Sequence, residues 1–178
     1  MFVRRHIWQL LESKIQNGAD LDVTNCNVDD PSEFVRQQMA SVFFMSDQQE
    51  ATDVWHKLRG SDPVPQVRAA ALVAALKIVT DEESKSPKRV YTMLDGIARS
   101  LEHEEDSFVA RVALHVSTEF LERLSTQLGD STVNSIYRTK IMPLILDLQN
   151  DHDEISVRAG PRMPISGFGR NWISRREI

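Results

Sequence analysis

The sequence predicts an all-α chain built from stacked helix pairs, and three observations predict it. Apolar residues return at helical spacing in seven separate stretches. A short acidic string is repeated: Asp30-Pro31-Ser32-Glu33-Phe34-Val35-Arg36 is echoed by Asp62-Pro63-Val64-Pro65-Gln66-Val67-Arg68, at an offset of 32 residues. No stretch shows the alternation of a half-buried strand bounded by hairpin turns. A unit of this length cannot bury its apolar face alone, so neighbouring units must cover it.

The elements follow in order along the chain. Ile7, Trp8, Leu10, Leu11 and Ile15 make one apolar side of a helix over 3–16, and the Asn- and Asp-rich run Asn17–Asp30 is a loop. A second helix covers 32–45. A third, over 48–59, carries Val54, Trp55 and Leu58 and stops at Gly60. The fourth, 63–80, repeats Val64, Val67, Ala71, Ala75 and Ile78. Asp30 and Asp62 are expected to cap free N–H groups, and Pro31 and Pro63 to fill first-turn positions where a missing N–H costs nothing.

The charged run from Thr80 to Pro87 breaks the pattern. Helices are then expected over 87–102 (Val90, Met93, Leu94, Ile97, Leu101), 106–127 (Phe108, Val112, Val116, Phe120) and 131–149 (Ile136, Ile141, Leu144, Ile145). Looser copies of the string occur at Glu104–Arg111 and Asp151–Arg158. Successive arginines therefore stand 32, 43 and 47 residues apart. From Gly160 onward Pro161, Pro164, Gly167 and Gly169 break helices. The expected organisation is a repeat domain over 1–159 and a basic, irregular tail over 160–178.

A helix rich in leucines, a short Asp-containing turn, then Val-Arg and small apolar residues resembles the HEAT-repeat family. Ile141–Leu148 followed by Asp151–Arg158 resembles that family's first helix, turn and start of second helix, and Asp62–Leu76 resembles it nearly as well. The resemblance covers 30–158 and implies a short right-handed α-solenoid of antiparallel helix pairs. It departs from the pattern where Ala110 splits Val109 from Arg111, where Pro161 and Pro164 follow Arg158, and where a long loop separates the first helix from its partner before Arg36. The family's turn Asp and second-helix Arg form ladders between repeats. Carried over, this implies a structural set of Asp30, Arg36, Asp62, Arg68, Asp106, Arg111, Asp151 and Arg158. Asp62 would meet Arg68 or Arg36, and Asp151 or Asp153 would meet Arg158 or Arg111.

Charge is uneven. Five arginines and one acid in 157–178 give that segment +4, which leaves 16 basic and 25 acidic residues elsewhere, a net −9. An acidic body opposes the phosphate attraction that dominates nucleic-acid binding. A single cysteine, Cys26, excludes an internal disulfide and a Cys-rich zinc site, and fits an intracellular chain, cytoplasmic or nuclear. No apolar run approaches the ~20 residues of a membrane span.

Candidate chemistry is sparse. His103-Glu104 matches one His-Glu pair of the HEAT-repeat iron hydroxylases, which need several such pairs. Asp151-His152-Asp153-Glu154 lacks the Gly and distal Glu of a calcium loop. No zinc-protease, nucleophile-elbow or phosphate-loop motif is present. Trp55 sits among apolar helix residues, as a core tryptophan does. No cofactor is expected.

The functional expectation is therefore a non-enzymatic scaffold or adaptor that binds protein through the concave face or the inter-helix turns. The alternatives are a HEAT-repeat hydroxylase or lyase and a nucleic-acid-binding repeat. In a regular stack the turns at Ser46–Gln49, Gly60–Pro65, Glu102–Asp106 and Asn150–Glu154 would share one edge. Glu102, Glu104, Glu105, Asp153 and Glu154 are the expected contacts there, facing a basic partner segment.

Overall fold

A computed structural model describes residues 2–19, 22, 26–80, 86–124 and 135–150. The regular structure among these residues is all helical, with no strand. The helices are α1 (Phe2–Gln16), α2 (Glu33–Met45), α3 (Gln49–Ser61), α4 (Pro65–Thr80), α5 (Pro87–His103), α6 (Ser107–Leu124) and α7 (Met142–Asn150). A π-helical turn, Tyr137–Ile141, runs directly into α7. Pro143 explains the wide turn: it has no N–H to donate and its ring crowds the carbonyl one turn back. The Met142 N–H reaches back to the Tyr137 carbonyl instead. Asp151, Asp153, Glu154, Arg158 and the tail 160–178 lie outside the described residues.

The helices form two rows. In one, α1 packs on α2, α2 on α4 and α4 on α6. In the other, α3 packs across α2 and α4, α5 across α4 and α6, and α7 beside α5. The first helix thus differs from the sequence expectation. It does not stand as the front helix of the pair ending at Arg36; it lies beside α2 as α2 lies beside α4.

The rows meet in one apolar core. Trp8 of α1 rests against Phe43 of α2 at 5.6 Å between ring centroids. Trp55 is fully buried under Phe44, and its indole N–H donates to the Ala71 carbonyl at 3.2 Å. Gly96 lets α5 come close to α3: a Cβ there would sit 2.5 Å from the Trp55 ring and 3.1 Å from Arg59 Cδ. Arg59 is buried beside them, its guanidinium 5.8 Å from the Trp55 ring centroid and donating to Ser100 Oγ at 2.7 Å. Burial pushes its pKa down to about 10, so it stays charged at neutral pH.

Asp30 and Asp62 act differently from simple helix caps. α2 begins at Glu33 and α4 at Pro65, so each aspartate stands three residues before its helix, and Pro31 and Pro63 lie in the turns. Asp30 Oδ1 accepts the Ser32 N–H at 2.8 Å and Asp62 Oδ1 the Val64 N–H at 2.9 Å. Each side chain braces its turn and keeps an oxygen for a neighbouring helix. Asp106 does cap: its Oδ1 accepts the N–H groups of Phe108 and Val109, at 2.9 and 3.2 Å.

Candidate protein-interaction surface

Three turns are joined by one repeated set of contacts. Arg4 Nε meets Asp30 Oδ2 at 2.8 Å. Arg36 grips Asp62 with two parallel bonds, Nε to Oδ2 at 2.7 Å and Nη2 to Oδ1 at 3.0 Å. Arg68 grips Glu104 in the same way, at 2.9 and 2.8 Å. The third guanidinium nitrogen of Arg36 donates to the Asp30 carbonyl, and that of Arg68 to the Asp62 carbonyl, both at 2.6 Å. So each arginine ties its own turn to the next. Such bidentate pairs are stronger and more directional than point-charge contacts. The hydrogen bonds to Asp62 and Glu104 raise the pKa values of Arg36 and Arg68 above the ordinary arginine value.

Of the expected structural set, the structure brings Arg36 to Asp62, with Asp30 and Arg68 in the same chain of contacts. Arg68 turns to Glu104 and not to the Asp62 carboxylate. Glu104 therefore leaves the set of exposed partner contacts: its carboxylate is buried against Arg68 and also accepts the Asp106 N–H at 3.0 Å. Asp106 and Arg111 are not joined. Arg111 Nε donates to the Ser107 carbonyl of its own helix. The reason is spacing: Arg36 is the sixth residue after Asp30 and Arg68 the sixth after Asp62, and the sixth residue after Glu104 is Ala110. The arginine ladder ends there.

Arg4 stands outside the set expected from the sequence, although its signal is present. Phe2-Val3-Arg4 stands 32 residues before Phe34-Val35-Arg36. Glu102 and Glu105 remain exposed on the ladder edge. The turn at Ser46–Gln49 is not on that edge. It lies with the start of α5, where Lys88 Nζ donates to the Asp47 carbonyl at 2.8 Å and Arg89 donates to the Met45 carbonyl. From α2 onward successive helices reverse direction, so alternate turns fall at opposite ends.

The ladder also gives α1, α2, α4 and α6 a common register. Two positions before Arg4, Arg36, Arg68 and Ala110 stand Phe2, Phe34, Gln66 and Phe108, all exposed. Five positions after them stand Gln9, Ser41, Val73 and His115. On a helix these two positions share a face. Phe34, Val73 and Phe108 are 44, 49 and 42% exposed. One large apolar side chain per helix is thus held in solvent on the same open face of α2, α4 and α6.

His103 and Glu104 do not act as a pair. His103 is exposed, with Nε2 3.5 Å from Glu102 Oε2, while Glu104 turns inward to Arg68. Among the described residues no three His, Cys, Asp or Glu side chains gather as a metal site, and no helix is long and apolar enough to cross a membrane. Comparison with protein-family models, curated proteins and solved structures gives no significant match.

Proposed function

We propose that the chain is a short right-handed α-solenoid of HEAT-type repeats that serves as a non-enzymatic protein-binding scaffold or adaptor. The row of Phe34, Val73 and Phe108 carries this reading. Large apolar side chains left in water on neighbouring helices of one row cost stability, and an ordered row of them marks a contact surface. In a HEAT-type stack this face would be the concave one. The arginine ladder supports the reading by holding α1, α2 and α4 in register, so that the row keeps its spacing. Glu102 and Glu105 border the row at the ladder edge, which favours a partner segment with apolar anchors and basic flanks.

The test is quantitative co-purification from the native source with the tagged chain and a Phe34→Glu/Val73→Glu/Phe108→Glu variant. The expected result is a protein captured in stoichiometric amount by the wild type and lost by the variant, with the variant's melting temperature unchanged. A protein captured equally by both, or metal or nucleic acid in its place, would overturn the reading.

A further inference from the structure

We infer that Ser86 is a phosphorylation site for a proline-directed serine/threonine kinase, and that Lys88 and Arg89 hold the phosphate it receives. This site is separate from the Phe34–Phe108 row and does not depend on it.

The string Ser86-Pro87-Lys88-Arg89 combines an acceptor, a proline directly after it and a cation three residues after it. Of the seven prolines in the chain, Pro87 alone follows a serine or threonine. A kinase groove that offers no acceptor to a peptide N–H at that position selects proline, which has no N–H to leave unpaired. The cation at the third position adds a charge-assisted contact.

The structure presents the acceptor in a usable form. Ser86 directly precedes α5, with φ −80° and ψ 121°, the extended backbone that proline imposes on the residue before it. Its hydroxyl makes no capping hydrogen bond, so no bond at the helix start holds it. Ser86 is half-buried, and Pro87 and Lys88 are exposed. Laying all four residues in a groove unwinds one turn at the end of a helix, where local opening costs least. Ser86 Oγ then attacks the γ-phosphorus of ATP. The new O–P bond forms as the bridging bond to ADP breaks, and the hydroxyl proton passes to the kinase's catalytic aspartate.

The surroundings of Ser86 suit the product. The first turn of α5 holds no acid, while Lys88 and Arg89 stand in it. Both reach away to the end of α2 and the turn after it, Lys88 to the Asp47 carbonyl and Arg89 to the Met45 carbonyl. Arg89 Nε is enclosed and has no hydrogen-bond partner. Among the described residues only Asp47 forms an ion pair with either cation, at 3.4 Å from Arg89 Nη2, and its side chain is 72% exposed. The first bond of α5 runs from the Val90 N–H to the Ser86 carbonyl, so the N–H groups of Lys88 and Arg89 have no acceptor within the helix. A phosphate on Ser86 supplies two negative charges and three acceptor oxygens beside these donors. It should fasten the start of α5.

The experiment incubates the full chain with ATP and a recombinant cyclin-dependent kinase. Peptide mapping by mass spectrometry should place one phosphate on Ser86. Ser86→Ala and Pro87→Ala should each abolish that label, Ser84→Ala should keep it, and Arg89→Gln should slow it about tenfold or more. The phosphorylated chain should melt about 2–4 °C above the unmodified one, with slower amide exchange at the start of α5. In Lys88→Gln the label should remain and the gain in melting should shrink. A folded chain left without label at Ser86, or labelled there regardless of Pro87, would overturn the assignment of the site. A label on Ser86 that left melting unchanged or lowered it would overturn the assignment of Lys88 and Arg89 as its partners.

Discussion

Replacing Asp62 with alanine removes three hydrogen bonds at once: the two from Arg36 and the one from the Val64 N–H. The Arg36 and Asp62 side chains are only 11 and 4% exposed, so the guanidinium is left with little water to replace its partner. Losing one member of such a buried pair costs about 3–5 kcal/mol. At about 2–4 °C per kcal/mol for a chain of this size, the melting temperature should fall by roughly 6–20 °C. Asp29→Ala is the internal control. Asp29 also meets a cation, Lys57 Nζ at 3.1 Å, but the two side chains are 77 and 58% exposed. Pairs of that kind are worth about 0–1 kcal/mol. Thermal and urea unfolding of both variants, with a double-mutant cycle adding Arg36→Ala, measure the difference directly. The reasoning fails if Asp62→Ala costs no more than Asp29→Ala, or if the cycle shows no coupling between Asp62 and Arg36.

Three further outcomes follow from the helix packing. Gly96→Ala should destabilise by about 1–3 kcal/mol, because its Cβ would strike the Trp55 ring and force a repacking. Gly60→Ala, whose Cβ meets nothing within 4 Å, should stabilise by about 0.5–1 kcal/mol in the same unfolding assay. Burial, with Arg59 nearby, lowers the pKa of His56, and its Nδ1 is enclosed without a hydrogen-bond partner. Above about pH 6.5 the imidazole is neutral folded and unfolded, and it contributes no pH dependence. As pH falls from there through the lowered folded value, the unfolded chain binds the proton first and stability drops. His56→Gln should flatten that part of the stability–pH curve; an unchanged slope would remove His56 as its cause.

Helix positions were legible in the sequence because periodicity and breakers agreed. Trp55, Leu58 and Gly60 marked α3 and its end, and Pro87 stands at the start of α5. Which helices share a row was not legible. α1 and α3 are both amphipathic, and only packing separates a helix beside α2 from a helix across it. The ladder partners were obscured in the acidic run Glu102–Asp106, where Glu104 and Asp106 look alike. Position decides between them: Glu104 faces Arg68, and Asp106 faces its own helix start. Matching arginine to arginine across Ala110-Arg111 also hid the register. The buried valines at 35, 67 and 109 carry it more faithfully, because a buried apolar position tolerates less change than a partly exposed one. The exposed row of Phe34, Val73 and Phe108 was hidden for the opposite reason. In sequence an exposed phenylalanine on an amphipathic helix reads as core.

The common register of α2, α4 and α6 underlies the proposed binding face. Spin labels at Phe34→Cys and Phe108→Cys, with Cys26→Ser, would test it by pulsed dipolar spectroscopy. Two steps between neighbouring helix axes, at 8–10 Å each, place the labels roughly 15–25 Å apart in one narrow distribution. A mean beyond about 30 Å, or a broad distribution, would contradict the shared face.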